Sequence, residues 1–362
     1  MVLPVRPPIA PMLARLVPEL PEGDGFLFEP KWDGFRCIVF KDGKDVELLS
    51  RNERSLTRYF PELLPELRAQ LPSRCVVDGE IVIATGGVLD FEALLQRIHP
   101  AATRIATLAR DTPASFIVFD LLALGARSLL DRPLGERRQL LERELSKLRA
   151  PLHLTPATED RTVAALWFRH LEGAGLDGVI AKPLALPYLP GKREMLKIKH
   201  QRTADCVVGG FRWYKDGNGV GSLLLGLFDQ AGVLHHVGVA TGLSAAERAS
   251  IAKKLTPLRK NAERGHPWLP SAGDEPSAAR LPGGPSRWTG TRDTSWEPVR
   301  PKLVVEVAYD HLQGQRFRHA TRFVRWRTDR TPSSCTYEQL DKASPQTLSD
   351  ALGWQPPAGG KP

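Results

Sequence analysis

"FEPKWDGFRC", residues 28–37, sets a lysine between a proline and a tryptophan inside a run that otherwise reads as buried strand. Lysine is among the residues least often fully buried. Lys31 is therefore either a charge on an exposed strand edge or an amine held in a cleft. Its neighbours Asp33, Gly34 and Arg36 fit both, so the rest of the chain has to decide.

That chain is globular in composition, with 42% hydrophobic and 25% charged residues. Its 362 residues exceed what one core usually serves and predict two domains. No stretch is apolar for long enough to be a membrane span or a secretory segment, which predicts a soluble, cytoplasmic protein with no membrane partner. Cys37, Cys75, Cys206 and Cys335 lie far apart without CxxC spacing. They argue against structural zinc and for a reducing compartment. The net charge of +9 is unevenly spread. Residues 1–200 hold 28 Lys and Arg against 26 Asp and Glu, and residues 201–362 hold 22 against 15. A basic second part suits a polyanion such as nucleic acid, and it suits plain solubility equally well.

Short β-rich runs surround the opening stretch, with Asp42-Gly43 as a turn signal between two of them. "ASFIVFDLLAL" (114–124) reads as a fully buried strand. Helical patterns interleave these runs: "LTRYFPELLPELRAQL", broken by Pro61 and Pro65; "DFEALLQRI", with Asp90 as N-cap; 133–148, with proline in its first turn; and 160–175, ending on glycine. Near residue 200 the texture changes to strands with glycine turns and one helix, opened by a capping box of Ser244 and Glu247. This predicts an α+β first domain over 1–200 and a small β-barrel over 201–345, with a long surface loop at 265–301 and a weakly ordered tail at 346–362.

The common nucleotide signals are missing. There is no GxxxxGK[ST] loop, and "GNGVGS" (217–222) joins two strands as a hairpin turn instead of opening a helix. His235 and His236 are adjacent on a strand and point to opposite faces, which makes them poor joint metal ligands. Charged residues inside apolar strands survive this sieve: Lys31, Arg51, Glu80, Asp177, Lys182, Lys197 and Lys199, with Phe119 among them. Lys197 and Lys199 are two apart and share a strand face, so with Lys31 and Lys182 they can build one amine-rich pocket. An isolated lysine titrates near ~10.4, and neighbouring cations lower that value toward the neutral, nucleophilic amine. The same cations stabilise charge on a phosphoryl centre. Asp33, Glu80 and Asp177 offer oxygen ligands to Mg²⁺ or Mn²⁺, Phe119 a face for a base, and Glu80 an acceptor for ribose hydroxyls. Such a pocket suits a nucleotide whose α-phosphate is attacked by Lys31.

In order along the chain these stretches resemble the covalent nucleotidyltransferases, and among them the ATP-dependent DNA ligases. "KWDG" looks like the family's KxDG motif, followed by "DGEIV", "FIVFDLL", "DGVIAK" and "LKIK"; "RFVRWRTDR" (322–330) is similar to the RxD[KR] element that ends the ligase OB domain. The resemblance spans about residues 8 to 340 and is nearest to the small two-domain bacterial ligase C type and to the ligase module of bacterial end-joining enzymes. It implies an adenylation domain of antiparallel sheets flanked by helices, then an OB-fold barrel. It implies ATP as cofactor, AMP carried covalently on Lys31, and a monomeric enzyme whose partners are nicked double-stranded DNA and repair or end-joining proteins. By the family's motif roles Glu29 contacts adenine, Arg36 and Arg51 the ribose or phosphate ends, and Glu80 the ribose. Phe119 stacks on adenine, Lys197 and Lys199 hold the α-phosphate, and Arg327 and Arg330 orient pyrophosphate when the OB domain closes about a hinge at 199–205. Asp177 departs from the usual Glu of its motif. The early first motif implies no separate N-terminal DNA-binding domain, so DNA contacts fall to Lys253, Lys254, Arg259 and Lys260 on the barrel helix, and to Arg97. A solvated helix face and a helix-end cap are the competing readings of these five. An RNA ligase, a capping guanylyltransferase and a non-catalytic OB-containing DNA-binding protein remain as alternatives.

Overall fold

A computed structural model describes residues 2–200, 202–215, 217, 219–269, 282, 295–340, 347–352 and 354. The chain divides into two compact units, residues 1–200 with 343–362, and residues 201–342.

In the first unit one sheet runs in the order β1 (Leu13–Val17), β12 (Arg193–Ile198), β11 (Val179–Pro183), β2 (Phe26–Pro30). The other runs β10 (Leu152–Leu154), β8 (Ser115–Leu124), β5 (Arg74–Val82), β3 (Phe35–Asp42), β4 (Asp45–Ser50), with β9 (Arg127–Ser128) beside β8. A small hairpin of β6 (Ala84–Thr85) and β7 (Val88–Leu89) lies apart. The expected antiparallel pairing holds except at two edges, where β1 joins β12 and β10 joins β8 in parallel.

Alternation explains why the second sheet is buried on both faces. Along β3, Cys37 and Val39 enter a core with Leu63, Leu67 and Phe116, while Ile38 and Phe40 enter another with Met12 and Met195. Every residue of β8 except Leu124 is buried, as the continuous apolar run required.

The helices follow their punctuation. A 3₁₀ turn at Thr57–Tyr59 gives way to α1 (Leu63–Gln70), with Pro65 in its first turn, where no N–H is needed. Asp90 caps α2 (Phe91–Gln96) by accepting the Ala93 N–H at 2.9 Å. After α3 (Ala102–Asp111) and α4 (Leu134–Leu145), α5 (Arg161–His170) tightens into a 3₁₀ turn ended by Gly175 at φ +83°.

The second unit is a closed five-stranded barrel, as the strand-and-turn texture predicted. Its order is β13 (Arg202–Trp213), β14 (Val220–Phe228), β15 (Leu234–Thr241), β19 (Thr321–Trp326), β16 (Glu297–Tyr309). The strands β17 (Leu312–Gln313) and β18 (Arg316–Phe317) form a hairpin outside the barrel. Helix α6 (Ala245–Arg259) opens with the expected Ser244–Glu247 capping box.

Three expectations meet the limit of the described residues. Most of the loop expected at 265–301 lies outside them, as does Gln201 in the hinge expected at 199–205. At the edge of that hinge the His200 ring stacks on Phe168, centroids 4.0 Å apart. Much of the 346–362 tail also lies outside them, but its described part forms α7 (Leu348–Leu352) in the first unit. There the buried Leu348 joins Val82, Ile117 and Leu171, and Trp354 meets Trp32 edge to face at 5.9 Å.

Candidate active site

Pairing of β2 with β11 sets Glu29 opposite Ile180 and Pro30 opposite Val179. The chain then stays pinned past the strand end: the Lys31 N–H donates to Gly178 O at 2.9 Å, and the Asp177 N–H donates to Lys31 O at 2.9 Å. These two bonds fix Lys31 beside Asp177. On the other side of β11, Ile180 faces Lys197 of β12. Glu29, Ile180 and Lys197 therefore form one row across the sheet, with Lys182, Met195 and Arg193 on the same face two and four residues along.

The facing wall comes from the second sheet, where Arg36 on β3 pairs with Glu80 on β5. The register between β5 and β8 slips between Asp78 and Gly79, which leaves Phe119 as an extra residue between Val118 and Asp120. A bulge of this kind re-aims a side chain. Glycine at 34 is forced by the same closeness, since a Cβ there would collide with Ile81 O and sit 2.9 Å from the Glu80 side chain.

The two walls enclose a cleft of ≈ 180 Å³. Of the expected nucleotide-binding residues, Glu29, Lys31, Arg36, Arg51, Glu80, Phe119 and Lys197 line it. One Asp177 carboxylate oxygen ion-pairs with Lys31 Nζ and, at 2.7 Å, with Lys199 Nζ. Burial, then the Lys199 and Lys31 ammonium groups, lower the Lys197 pKa below the ordinary lysine value. Burial also raises Glu80 to about 7, against the opposing pull of Arg36 and Lys31, while the charge of nearby Asp33 adds to the rise. The cleft thus gathers Lys31, Arg36, Arg51, Lys182, Arg193 and Lys197 around Glu29 and Glu80.

Glu29 is 2% exposed, with Lys182 Nζ at 2.6 Å and Arg138 Nη1 at 3.5 Å. Arg36 forms a two-pronged pair with Asp78, Nε to Oδ1 and Nη2 to Oδ2 both at 2.6 Å, and Tyr188 Oη donates to the same Oδ2 at 2.6 Å. Arg36 Cζ and Lys182 Nζ lie 4.3 and 4.6 Å from the Phe119 ring centroid. Trp32 donates from Nε1 to Thr155 Oγ1 at 2.9 Å.

Two expectations change. The three carboxylates expected to hold a metal do not converge: among the described residues no three His, Cys, Asp or Glu form a metal-sized group. Asp177 is spent on two lysines, while Asp33 and Glu80 remain neighbours. Arg97, expected as a DNA contact, is 0% exposed. Its guanidinium is bound by Glu62 at 2.7 and 2.8 Å and by Tyr59 O at 2.7 Å, so it holds helix α2 against the fold.

In the second unit Arg327 is clasped by Asp205, with Nη1 2.9 Å from both oxygens, and by Asp329, with Nη2 at 2.8 Å. Arg330 reaches Asp205 at 3.2 Å and keeps 38% of its side chain exposed. Lys254 Nζ lies 4.4 Å over the Trp326 ring, Arg259 pairs with Glu297 at 2.6 Å, and Lys253 and Lys260 are exposed.

The family profile described as "ATP dependent DNA ligase domain" matches residues 11–199, and that of the "ATP dependent DNA ligase C terminal region" matches 216–330. The chain belongs to the ATP-dependent DNA ligases. It is 54% identical to DNA ligase C2 of Mycolicibacterium smegmatis over 94% of this chain and 96% of that protein. It is 52% identical to DNA ligase C of Mycobacterium tuberculosis over 97% and 99%. A solved Lig E DNA ligase shares the fold with a TM-score of 0.52 at 18% identity, covering 88% of this chain and all of that one.

For this ligase, sequence reasoning missed Arg193, Met195 and the Met12–Ala14 segment, all of which line the cleft. Arg193 was within reach, because it lies an even number of residues before Lys197 on one strand. Met12–Ala14 joins through the parallel pairing of β1 with β12, which no local pattern announces. Asp78 and Tyr188 were missed for the same reason, since they reach the site only through Arg36.

Proposed function

We propose that this ligase seals nicks carrying 3′-hydroxyl and 5′-phosphate ends through a covalent Lys31–AMP intermediate. The observation that supports this most directly is the nucleophile's setting: Lys31 lies in a cleft whose walls supply an aromatic face, a ribose-sized acceptor and an excess of cations. Lys31 Nζ, freed of a proton, attacks the α-phosphorus of ATP; the bond to the β-phosphate oxygen breaks and pyrophosphate leaves. An oxygen of the 5′-phosphate at the nick then takes the AMP, the P–N bond breaks, and Lys31 regains a proton. The 3′-hydroxyl finally attacks the activated 5′-phosphorus, and AMP departs.

The remaining side chains follow from their positions. Phe119 stacks on adenine beside Glu29, and Glu80 accepts from the ribose. Arg36 and Arg51 meet the ribose or phosphate ends, while Lys197 and Lys199 hold the α-phosphate. Asp177 positions Lys31 and Lys199 together. Arg327, clasped by Asp205 and Asp329, and the more open Arg330 orient pyrophosphate when the OB domain closes. Glu80 and Asp33 are the carboxylates that would hold a magnesium or manganese ion, which would supply charge neutralisation at the phosphates. Lys253, Lys254, Arg259 and Lys260 are the proposed contacts to the DNA backbone, and repair of broken DNA in the cytoplasm by a monomer is the proposed setting.

The test is labelling with [α-³²P]ATP and a divalent ion, followed by chase onto nicked duplex. The expected result is a labelled protein, loss of label in Lys31→Ala, and transfer of label to a DNA 5′ end. Label that survives in Lys31→Ala overturns the assignment of the nucleophile. GTP in place of ATP, or a nicked RNA as sole acceptor, points instead to a capping enzyme or an RNA ligase.

A further inference from the structure

The ligation chemistry leaves one sequence feature unused, the glycine-spaced hairpin "WYKDGNGVGS" at 213–222. Trp213 ends β13 with 40% of its surface exposed, although a large aromatic gains more by burial than almost any other side chain. Its surroundings are cationic. Arg259 Cζ lies 5.6 Å over the Trp213 ring, and Arg248 Cζ lies 3.7 Å over the ring of Tyr214. Arg212, Lys215, Trp296 and Glu297 line the same concavity, with Glu297 paired to Arg259 at 2.6 Å.

The arrangement is held in place. Gly219 sits at φ +84°, and a Cβ there would lie 2.8 Å from the Arg248 backbone, so only glycine lets the hairpin rest on α6. The Tyr214 N–H donates to Gly219 O at 2.9 Å and closes the turn. Phe211 packs edge-on against Trp213 at 4.8 Å and fixes the indole. Arg248 Nε is buried without a hydrogen-bond partner, leaving the Tyr214 face as a support for that guanidinium.

A fixed, open indole ringed by cations matches a nucleobase with its flanking phosphates. Inside a duplex the base faces are covered by their neighbours, so the platform fits bases that have left the helix. We propose that the Trp213–Tyr214 hairpin is a binding site for single-stranded DNA. One unpaired base stacks on Trp213, and Arg248, Arg259 and Lys215 take the adjacent phosphates. The inference rests on DNA as the ligase substrate and deepens it: breaks with a single-stranded flank are held more tightly than clean nicks.

The test compares binding of a labelled short oligothymidylate with binding of a blunt-ended nicked duplex at one fixed, moderate salt concentration. Trp213→Ala is expected to weaken oligothymidylate binding about tenfold and duplex binding less than about twofold. Trp213→Phe, which keeps an aromatic face, is expected to recover most of the loss, and it also covers the case in which the alanine variant folds poorly. Equal losses on both DNAs, or no loss on either, overturn the proposal. Labelling by [α-³²P]ATP in the same samples keeps the two readings apart: failure of the parent protein to label strikes the ligase chemistry, whereas a missing Trp213 effect strikes only this site.

Discussion

Two buried ion pairs in the first unit are built on opposite plans. At Arg97 one guanidinium meets one carboxylate, Glu62, and the Tyr59 carbonyl, and it lies 4.9 Å over the Phe60 ring. Charge is matched one to one and nothing is left to attract a ligand. At Asp177 one carboxylate oxygen serves both Lys31 and Lys199, and Lys197 adds a third ammonium close by. There positive charge exceeds negative charge inside a cleft. A balanced pair holds a fold together, while an unbalanced one is open to an anionic substrate, in our proposal the phosphates of ATP.

Breaking the balanced pair gives the largest expected effect on stability. Arg97→Met leaves the partly buried Glu62 carboxylate without its counter-charge and opens a hole where the guanidinium was; losses of about 3–5 kcal/mol are usual when one partner of a buried pair is removed. Urea unfolding is expected to show that loss, while adenylylation per folded molecule stays near the parent value. A variant that folds normally but fails to bind nicked DNA returns Arg97 to the interface.

Breaking the unbalanced pair acts on chemistry more than on stability. Asp177→Asn leaves Lys31 and Lys199 without their shared counter-charge and lets the amine drift from its line of attack. Misplacement of a reacting group by about 1 Å costs on the order of 100-fold. Rapid-quench labelling is expected to show that slowing, with ATP affinity unchanged or tightened because a negative charge has left the cleft. Weaker ATP binding with an unchanged transfer rate means that Asp177 serves the nucleotide and not the nucleophile. Asp177→Glu, the residue usual in this motif, is expected to fall between the two.

This contrast also shows what a sequence can reveal. Lys31, Glu80, Phe119 and Lys197 were legible because each breaks an apolar strand pattern, and because strand parity says which residues share a face. Arg97 misled for the opposite reason. It follows a helix in an exposed-looking stretch, and its partner Glu62 is remote in sequence and carries no mark of burial. Helix α3 went unread because its apolar face is short: Ile105 is its one fully buried residue, with Leu108 and Ala109 half-buried at i+3 and i+4. Asp177 was found, but its role was not: spacing cannot distinguish a carboxylate facing a metal from one facing two lysines. Lys253, Lys254 and Lys260 carry no such mark, since an exposed lysine looks alike on a solvated face and on an interface.

Glu80 offers the subtlest test, because its charge is set by the same excess of cations. In the unfolded chain it titrates near the ordinary value of 4.5, and in the fold burial raises it to about 7. Below the lower value both states hold the proton and Glu80 adds no pH dependence. Between the two the native state binds the proton more tightly, so stability falls as pH rises, and above the upper value the deficit is constant. Glu80→Gln keeps the shape and cannot ionise. Without nucleotide or divalent ion, its unfolding free energy is expected to match the parent's near pH 4.5 and to exceed it at pH 8 by on the order of 1–3 kcal/mol. A variant equally destabilised at both pH values means that Glu80 is ionised and well paired in the empty cleft. The cations of Arg36 and Lys31 then outweigh its burial, and the charge excess that separates this site from the Arg97 pair is smaller than the geometry indicates.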